Sequence, residues 1–223
     1  GTWRAWRWRT CTRQKLAVRA DLQAKAAVSA AELASLGLGS WKKMVAEEGL
    51  PPALERNGVD PEEYAHAMFE AVETAYPTRM LRARSGWFAA GDALGRFLGA
   101  TPDYRLDGEP LRALVRRKPS VLESAGDGRD QKAVLRELPV LERLHRLSPP
   151  GARFEVMRTL HSAGIRSATQ IQAMGKARFA QELGEALGGE TAAFVFQRAR
   201  HLSSTVCERS QHGCARMMPQ RLF

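Results

Sequence analysis

The chain is short of the features that mark most specialised protein classes. It has 3 cysteines in 223 residues, Cys11, Cys207 and Cys214. So sparse and odd a set does not make a disulfide framework. Aromatic residues are 7% of the sequence. Clusters of β-branched residues with period-2 alternation are nearly absent, which argues against strands. No apolar run approaches the ~20 residues needed to span a bilayer. The N-terminus carries charge without an apolar stretch behind it, so no signal peptide is recognisable. Acids are missing altogether from residues 1–19, which hold six Lys or Arg.

What is present points to helices. The sequence is 44% hydrophobic and rich in alanine, with apolar residues recurring at i, i+3 and i+4. It predicts an all-α fold, an irregular multi-helix domain with two helix-hairpin-helix-like turns. The net charge of +10 would ordinarily suggest an acidic partner, but the charge belongs to the ends. Residues 207–223 contain three Arg and one Glu, whereas residues 20–206 hold 25 basic and 23 acidic side chains. The expected organisation is a basic Trp/Arg flank at 1–19, an N-terminal helical subdomain at 20–123, a loop at Ser124–Asp130, a C-terminal hairpin subdomain at 131–206 and a tail at 207–223.

The flank interleaves Trp3, Trp6 and Trp8 with arginine, as cationic membrane-active peptides do. It is expected to be a poorly ordered appendage rather than a membrane contact. In the tail, Cys207, His212 and Cys214 match no zinc spacing and lack a fourth ligand, so no metal site is expected there.

Along the body, an Ala-rich helix is predicted from Leu16 to Leu36. Ser40 is the expected cap of a short helix through Trp41, Met44 and Val45. Gly49-Leu50-Pro51-Pro52 stops it. Asp60-Pro61-Glu62-Glu63 is a start signal, with a capping Asp, Pro in the first turn and acids at the positive end of the dipole. The helix that follows places Tyr64, Met68 and Val72 near one face, has a solvated acidic side at Glu62, Glu63, Glu70 and Glu73, and ends before Pro77. Another helix around Trp87 to Leu98 is expected to be interrupted at Gly91 and Gly95, and a short one runs from Leu111 to Val115. A helix from Gln131 to Leu147, with a kink at Pro139, turns Leu135, Leu138, Leu141 and Leu144 inward. Phe154–Ala163, Ser167–Met174, Lys176–Leu187 and Glu190–Thr205 complete the set. Leu160, Ile165, Ile171, Met174 and Phe179 are the expected core of the second hairpin.

Two stretches, "ELASLGLGSWKKMV" and "TLHSAGIRSATQIQ", read as helix, tight turn and helix. A hairpin that grips a nucleic-acid phosphate needs two glycines around one apolar residue, so that backbone amides can approach the anion. Gly37 and Gly39 keep that pattern in the first, but Trp41 follows at once and Glu47-Glu48 lie beyond. In the second, Gly164 fits and Arg166 stands where the second glycine belongs. These four residues are the candidate phosphate contacts, and they belong to the alternative of a small nucleic-acid-binding protein. The favoured expectation is that both hairpins pack helices.

No catalytic signature accompanies them. His66, His145, His161, His201 and His212 fall at no metal-binding spacing and read as surface or helix-end residues. There is no phosphate-binding loop, nucleophile elbow or dinucleotide fingerprint. The sequence predicts a noncatalytic protein with no cofactor.

Two longer stretches carry a resemblance. "LASLGLGSWKKMVAEEGLPPALE" followed by "DPEEYAHAMFEAVETAYPT", and then "LPVLERLHRLSPPGARFEVMRTLHSAGIRSATQIQAMGKARFAQELG", resemble the A-component proteins of insecticidal toxin complexes (Tc toxins) and related virulence-plasmid proteins. The matching features are the Trp41 helix running to Gly-Leu-Pro-Pro, the Tyr76-Pro77-Thr78 stop, and a leucine-rich helix ahead of a Gly-Ile-x-Ser-Ala hairpin. Glu142 and His145 stand where that family usually has Gln and an aromatic. The resemblance covers roughly residues 25–205. It implies a helical shell segment of a large, secreted, multi-subunit toxin whose partners are other toxin-complex subunits or further copies of itself. Such proteins form pentameric channels, and this chain is too short to hold the channel or receptor-binding parts.

Overall fold

A computed structural model describes residues 30–215, with side chains from 32 to 204. The Trp/Arg flank, most of the predicted first helix and the end of the tail lie outside the described residues. Those described form an all-α fold with no strand among them. They fall into two compact units. One contains the chain up to Glu137 together with Pro150–Arg153, and the other contains Leu138–Pro149 and the chain from Phe154 onward. The division falls inside a helix, between Glu137 and Leu138 and just ahead of Pro139. The Ser124–Asp130 loop, expected as the boundary, is internal to the first unit.

In the first unit, α1 is Ala30–Ser35, α2 Leu38–Glu48, α3 Pro52–Glu55, α4 Pro61–Ala75 and α5 Pro77–Ala83. A 3₁₀ turn at Ser85–Trp87 leads into α6, Gly91–Ala100, and α7, Leu111–Arg117, is followed by a 3₁₀ helix at Pro119–Ala125. α2 packs on α4, burying Trp41 and Val45 on one side and Tyr64, Ala65, Met68, Phe69 and Val72 on the other. The start of α4 follows its sequence signal, since the Asp60 side chain accepts a hydrogen bond from the Glu63 N–H at 3.1 Å. Pro77 ends α4 and also opens α5 from its first turn, where its missing N–H has no partner to lose.

Three local expectations are corrected. α2 begins at Leu38, ahead of Ser40, because the Gly37 carbonyl already accepts from the N–H groups of Ser40 and Trp41 at 3.0 and 3.2 Å. α6 starts at Gly91 and runs straight through Gly95. The two glycines admit the neighbouring 3₁₀ turn rather than break the helix, since a Cβ on Gly91 would lie 2.9 Å from the Ser85 carbonyl oxygen and one on Gly95 3.1 Å from its hydroxyl. The helix expected from Gln131 begins instead at Gly128. The Asp127 carboxylate starts it by accepting from the N–H groups of Arg129 and Asp130, both at 2.9 Å. These bonds, that from Asp130 first, hold Asp127 below the usual carboxylate pKa range.

That helix, α8, is Gly128–Leu147. Its buried stripe runs through Val134, Leu138, Leu141 and Leu144, while Leu135 is only half-buried. Steps of four and three residues from Val134 keep one face at 3.6 residues per turn, and Leu135 lies off that face. In the second unit, α9 is Arg153–Ser162, α10 Ala168–Met174, α11 Lys176–Leu187 and α12 Gly189–Ala215. α12 packs on both α10 and α11, and the Phe179 and Phe196 rings stand 6.1 Å apart. α12 extends past the expected end at Thr205.

Candidate functional site: the two helical hairpins

The second hairpin is closed from within. Gly164, at φ +77°, takes the left-handed conformation that a Schellman ending requires. Its N–H donates to the His161 carbonyl and that of Ile165 to the Leu160 carbonyl, both at 3.0 Å. Leu160 and Ile165, the apolar pair that accompanies this motif, are buried. The Arg166 N–H donates to the Gln170 side chain at 2.9 Å, and the Gln170 amide returns a bond to the Gly164 carbonyl at 3.1 Å. Ser167 caps α10 by accepting from the Gln170 N–H at 3.2 Å. The Arg166 guanidinium folds back to the His161 carbonyl at 2.8 Å, and Arg143 donates to the Arg166 carbonyl at 3.0 Å. Of the five residues expected in this core, Leu160, Ile165, Ile171 and Phe179 are buried and Met174 is half-buried.

The first hairpin is closed from outside. Gly37 has an extended backbone, φ −84° and ψ 167°, so no left-handed residue ends α1. The carbonyls there are met by Arg84, which donates to Ala34 at 2.8 Å and Leu36 at 3.0 Å. This guanidinium is buried and also lies 5.6 Å from the centre of the Trp87 ring, a cation–π distance. Gly39 lies in the first turn of α2, and a Cβ at Gly37 or Gly39 would meet nothing within 4 Å. The structure therefore places Gly37 and Gly39 on one turn, and Gly164 and Arg166 on another.

One acidic assignment changes. Glu73, expected on the solvated side of α4, is fully buried. Its carboxylate accepts from the N–H groups of Gly151 and Arg153 at 2.6 and 2.9 Å, which ties the Pro150–Arg153 segment into the first unit. The signal was present in the sequence, because Glu73 lies one turn after Phe69 and so on the apolar face. His145, expected at the surface or a helix end, lies in the last turn of α8 and is buried, with its ring 6.2 Å from that of Phe154. His66 and His201 are exposed and His161 is half-buried, and His212 lies outside the described side chains, as do Cys207 and Cys214.

An open groove of about 1000 Å³ lies in the first unit between residues 86–93 and 127–136. Asp92, Asp127 and Asp130 line it together with Arg129, Lys132 and Arg136, so its lining carries as many acids as bases. Among the described residues, no group of three or more potential ligands is placed to hold a metal ion, and no helix is long and apolar enough to cross a membrane. No family model, no curated protein and no solved structure matches this chain.

Proposed function

We propose that the chain is a noncatalytic helical module that acts through protein–protein contacts, as its resemblance to the shell of toxin-complex A components implies. The observation that carries this reading is the closure of the second hairpin. The N–H groups of Gly164, Ile165 and Arg166 are all spent inside the turn, and the Arg166 side chain is spent on His161. A phosphate-gripping hairpin needs those amides for its ligand. A hairpin that uses them on itself holds one helix against the next. By the same resemblance, the partners are other subunits of a secreted assembly or further copies of this chain.

The rival is a nucleic-acid-binding protein that uses Gly37, Gly39, Gly164 and Arg166. A fluorescence titration of the full chain against labelled duplex DNA at physiological salt separates the two. The basic ends bind DNA weakly and with a salt slope, because any polycation releases counterions. Under the proposed function, Arg166→Ala and Gly39→Val leave that residual binding unchanged. Saturable micromolar binding that either substitution weakens about fivefold or more, corresponding to ~1 kcal/mol lost per contact, would overturn it. A gene neighbourhood encoding toxin-complex B and C components would support it independently.

A further inference from the structure

We propose that Glu73 is a latch on a hinge within this chain. Its carboxylate holds the strap 150–153 on the first unit, and release of the strap uncouples the second unit at Pro139 in α8. The device works inside one molecule, whatever partner the module meets.

The chain passes between its two units three times. It leaves the first unit between Glu137 and Leu138, returns for Pro150–Arg153, and leaves again at Phe154. The first crossing lies inside α8, beside its internal proline. Pro139 has no N–H to give the Leu135 carbonyl, so the helical ladder that spans the crossing lacks a rung. A missing rung is where a helix bends.

The other two crossings enclose the strap, which is continuous with the second unit at both ends. Gly151 turns it at φ +83°. Glu73, fully buried on α4, receives the Gly151 N–H on Oε2 at 2.6 Å and the Arg153 N–H on Oε1 at 2.9 Å. Each oxygen takes one amide, and a hydrogen bond to a carboxylate is roughly twice as strong as a neutral one. Burial keeps water from competing for those bonds. The strap is thus fastened to the first unit by a single side chain that reaches two of its amides. With the strap fastened, the second unit is tethered at both ends of the strap as well as through α8. With the strap released, the continuous connection is α8 and its missing rung. The first hairpin belongs to one unit and the second to the other, so the latch sets whether the two turns unfold and move together.

Amide exchange and calorimetry of the full chain test this. In the parent, the Gly151 and Arg153 amides should exchange on the order of a hundredfold slower than in a free peptide, and the two units should melt in one transition. Glu73→Gln keeps the size of the side chain but puts one acceptor oxygen and an amide donor in place of two acceptors. It should speed both exchanges about tenfold or more and split the melt into two transitions. Pro139→Ala added to Glu73→Gln should bring the single transition back, because the new N–H restores the rung at Leu135. Glu55→Gln, at an exposed acid of the same unit, should change neither readout. If Glu73→Gln does not fold, Gly151→Ala takes its place. At φ +83° the alanine strains the strap, while its Cβ would meet only the Glu70 Cβ, at 4.0 Å, and the same acceleration and split are expected. Gly151 and Arg153 amides that exchange in the parent as fast as in a free peptide overturn the latch, as do two transitions in the parent. A single, lower transition in Glu73→Gln also overturns it and leaves Glu73 a core residue. Two transitions that persist after Pro139→Ala overturn the assignment of the hinge to Pro139.

Discussion

The two hairpins share one sequence pattern and are stopped by different physics. Leu33-Ala34-Ser35-Leu36-Gly37-Leu38 corresponds to Leu160-His161-Ser162-Ala163-Gly164-Ile165 position for position. In the second, the glycine enters the left-handed region and the turn satisfies its own carbonyls. In the first, the glycine stays extended, and a buried arginine about fifty residues away completes the turn. A glycine in a turn thus reports a place where the chain is free to bend, without saying how the end of the helix is satisfied. In the second hairpin the end of the first helix is closed locally. The first hairpin depends on the packing of α5 against α1, and the two should fail differently when probed.

The largest effect is expected from the core under the locally closed turn. Ile171 is fully buried, and Ile171→Ala should cost on the order of 2–4 kcal/mol if the site cannot collapse. Urea unfolding followed by circular dichroism measures it. An unchanged midpoint would mean that α10 does not use this face.

The arginines give the next contrast. Removing Arg84 with Arg84→Met leaves the buried Ala34 carbonyl without its donor and removes the cation from Trp87. A loss of about 2–3 kcal/mol is expected, mostly from the unsatisfied acceptor. Arg166→Met should cost under about 1 kcal/mol, because the His161 carbonyl that it leaves still accepts from the Gly164 N–H. Equal losses from the two substitutions would erase the distinction between a turn closed from outside and one closed from within.

Much of this was legible in the sequence, and the parts that were not share a cause. Periodicity exposes one face of one helix, so the α4 stripe, the Asp60 start and the second-hairpin core were readable from spacing. Arg84 was not, because nothing in its neighbourhood says that it reaches Ala34 and Leu36 across 48 to 50 residues. Glu73 reads as one of a row of surface acids, although its place one turn after Phe69 puts it on the apolar face. Its role depends on the amides of Gly151 and Arg153, about 80 residues on. Gly91 and Gly95 read as breaks because a missing side chain signals flexibility in sequence, while in the fold it makes room for the Ser85 turn. Spacing put Gly37, Gly39, Gly164 and Arg166 at helix turns and could not reveal that the amides of Gly164, Ile165 and Arg166 are spent. Local pattern finds helices and their ends; long-range hydrogen bonds decide what the ends are for.

The smallest effects make the sharpest comparison, since they put the same substitution at corresponding positions. Neither Gly37 nor Gly164 has a neighbour within 4 Å of an added Cβ, so a methyl group meets no steric obstacle at either. Only the backbone differs. At Gly164, with φ +77°, an alanine must hold the left-handed conformation at a cost of about 1–2 kcal/mol. At Gly37, with φ −84°, alanine fits, and the unfolded chain loses freedom worth about 0.4–1 kcal/mol in favour of folding. Against that gain, alanine is the poorer residue at a helix N-cap, by a few tenths of a kcal/mol or more, so the two terms nearly cancel. Gly164→Ala should therefore lower the urea midpoint while Gly37→Ala leaves it within about 0.5 kcal/mol of the parent. If Gly37→Ala proved the more damaging, the first turn would have to visit a left-handed state, and its closure by Arg84 would not be what ends α1.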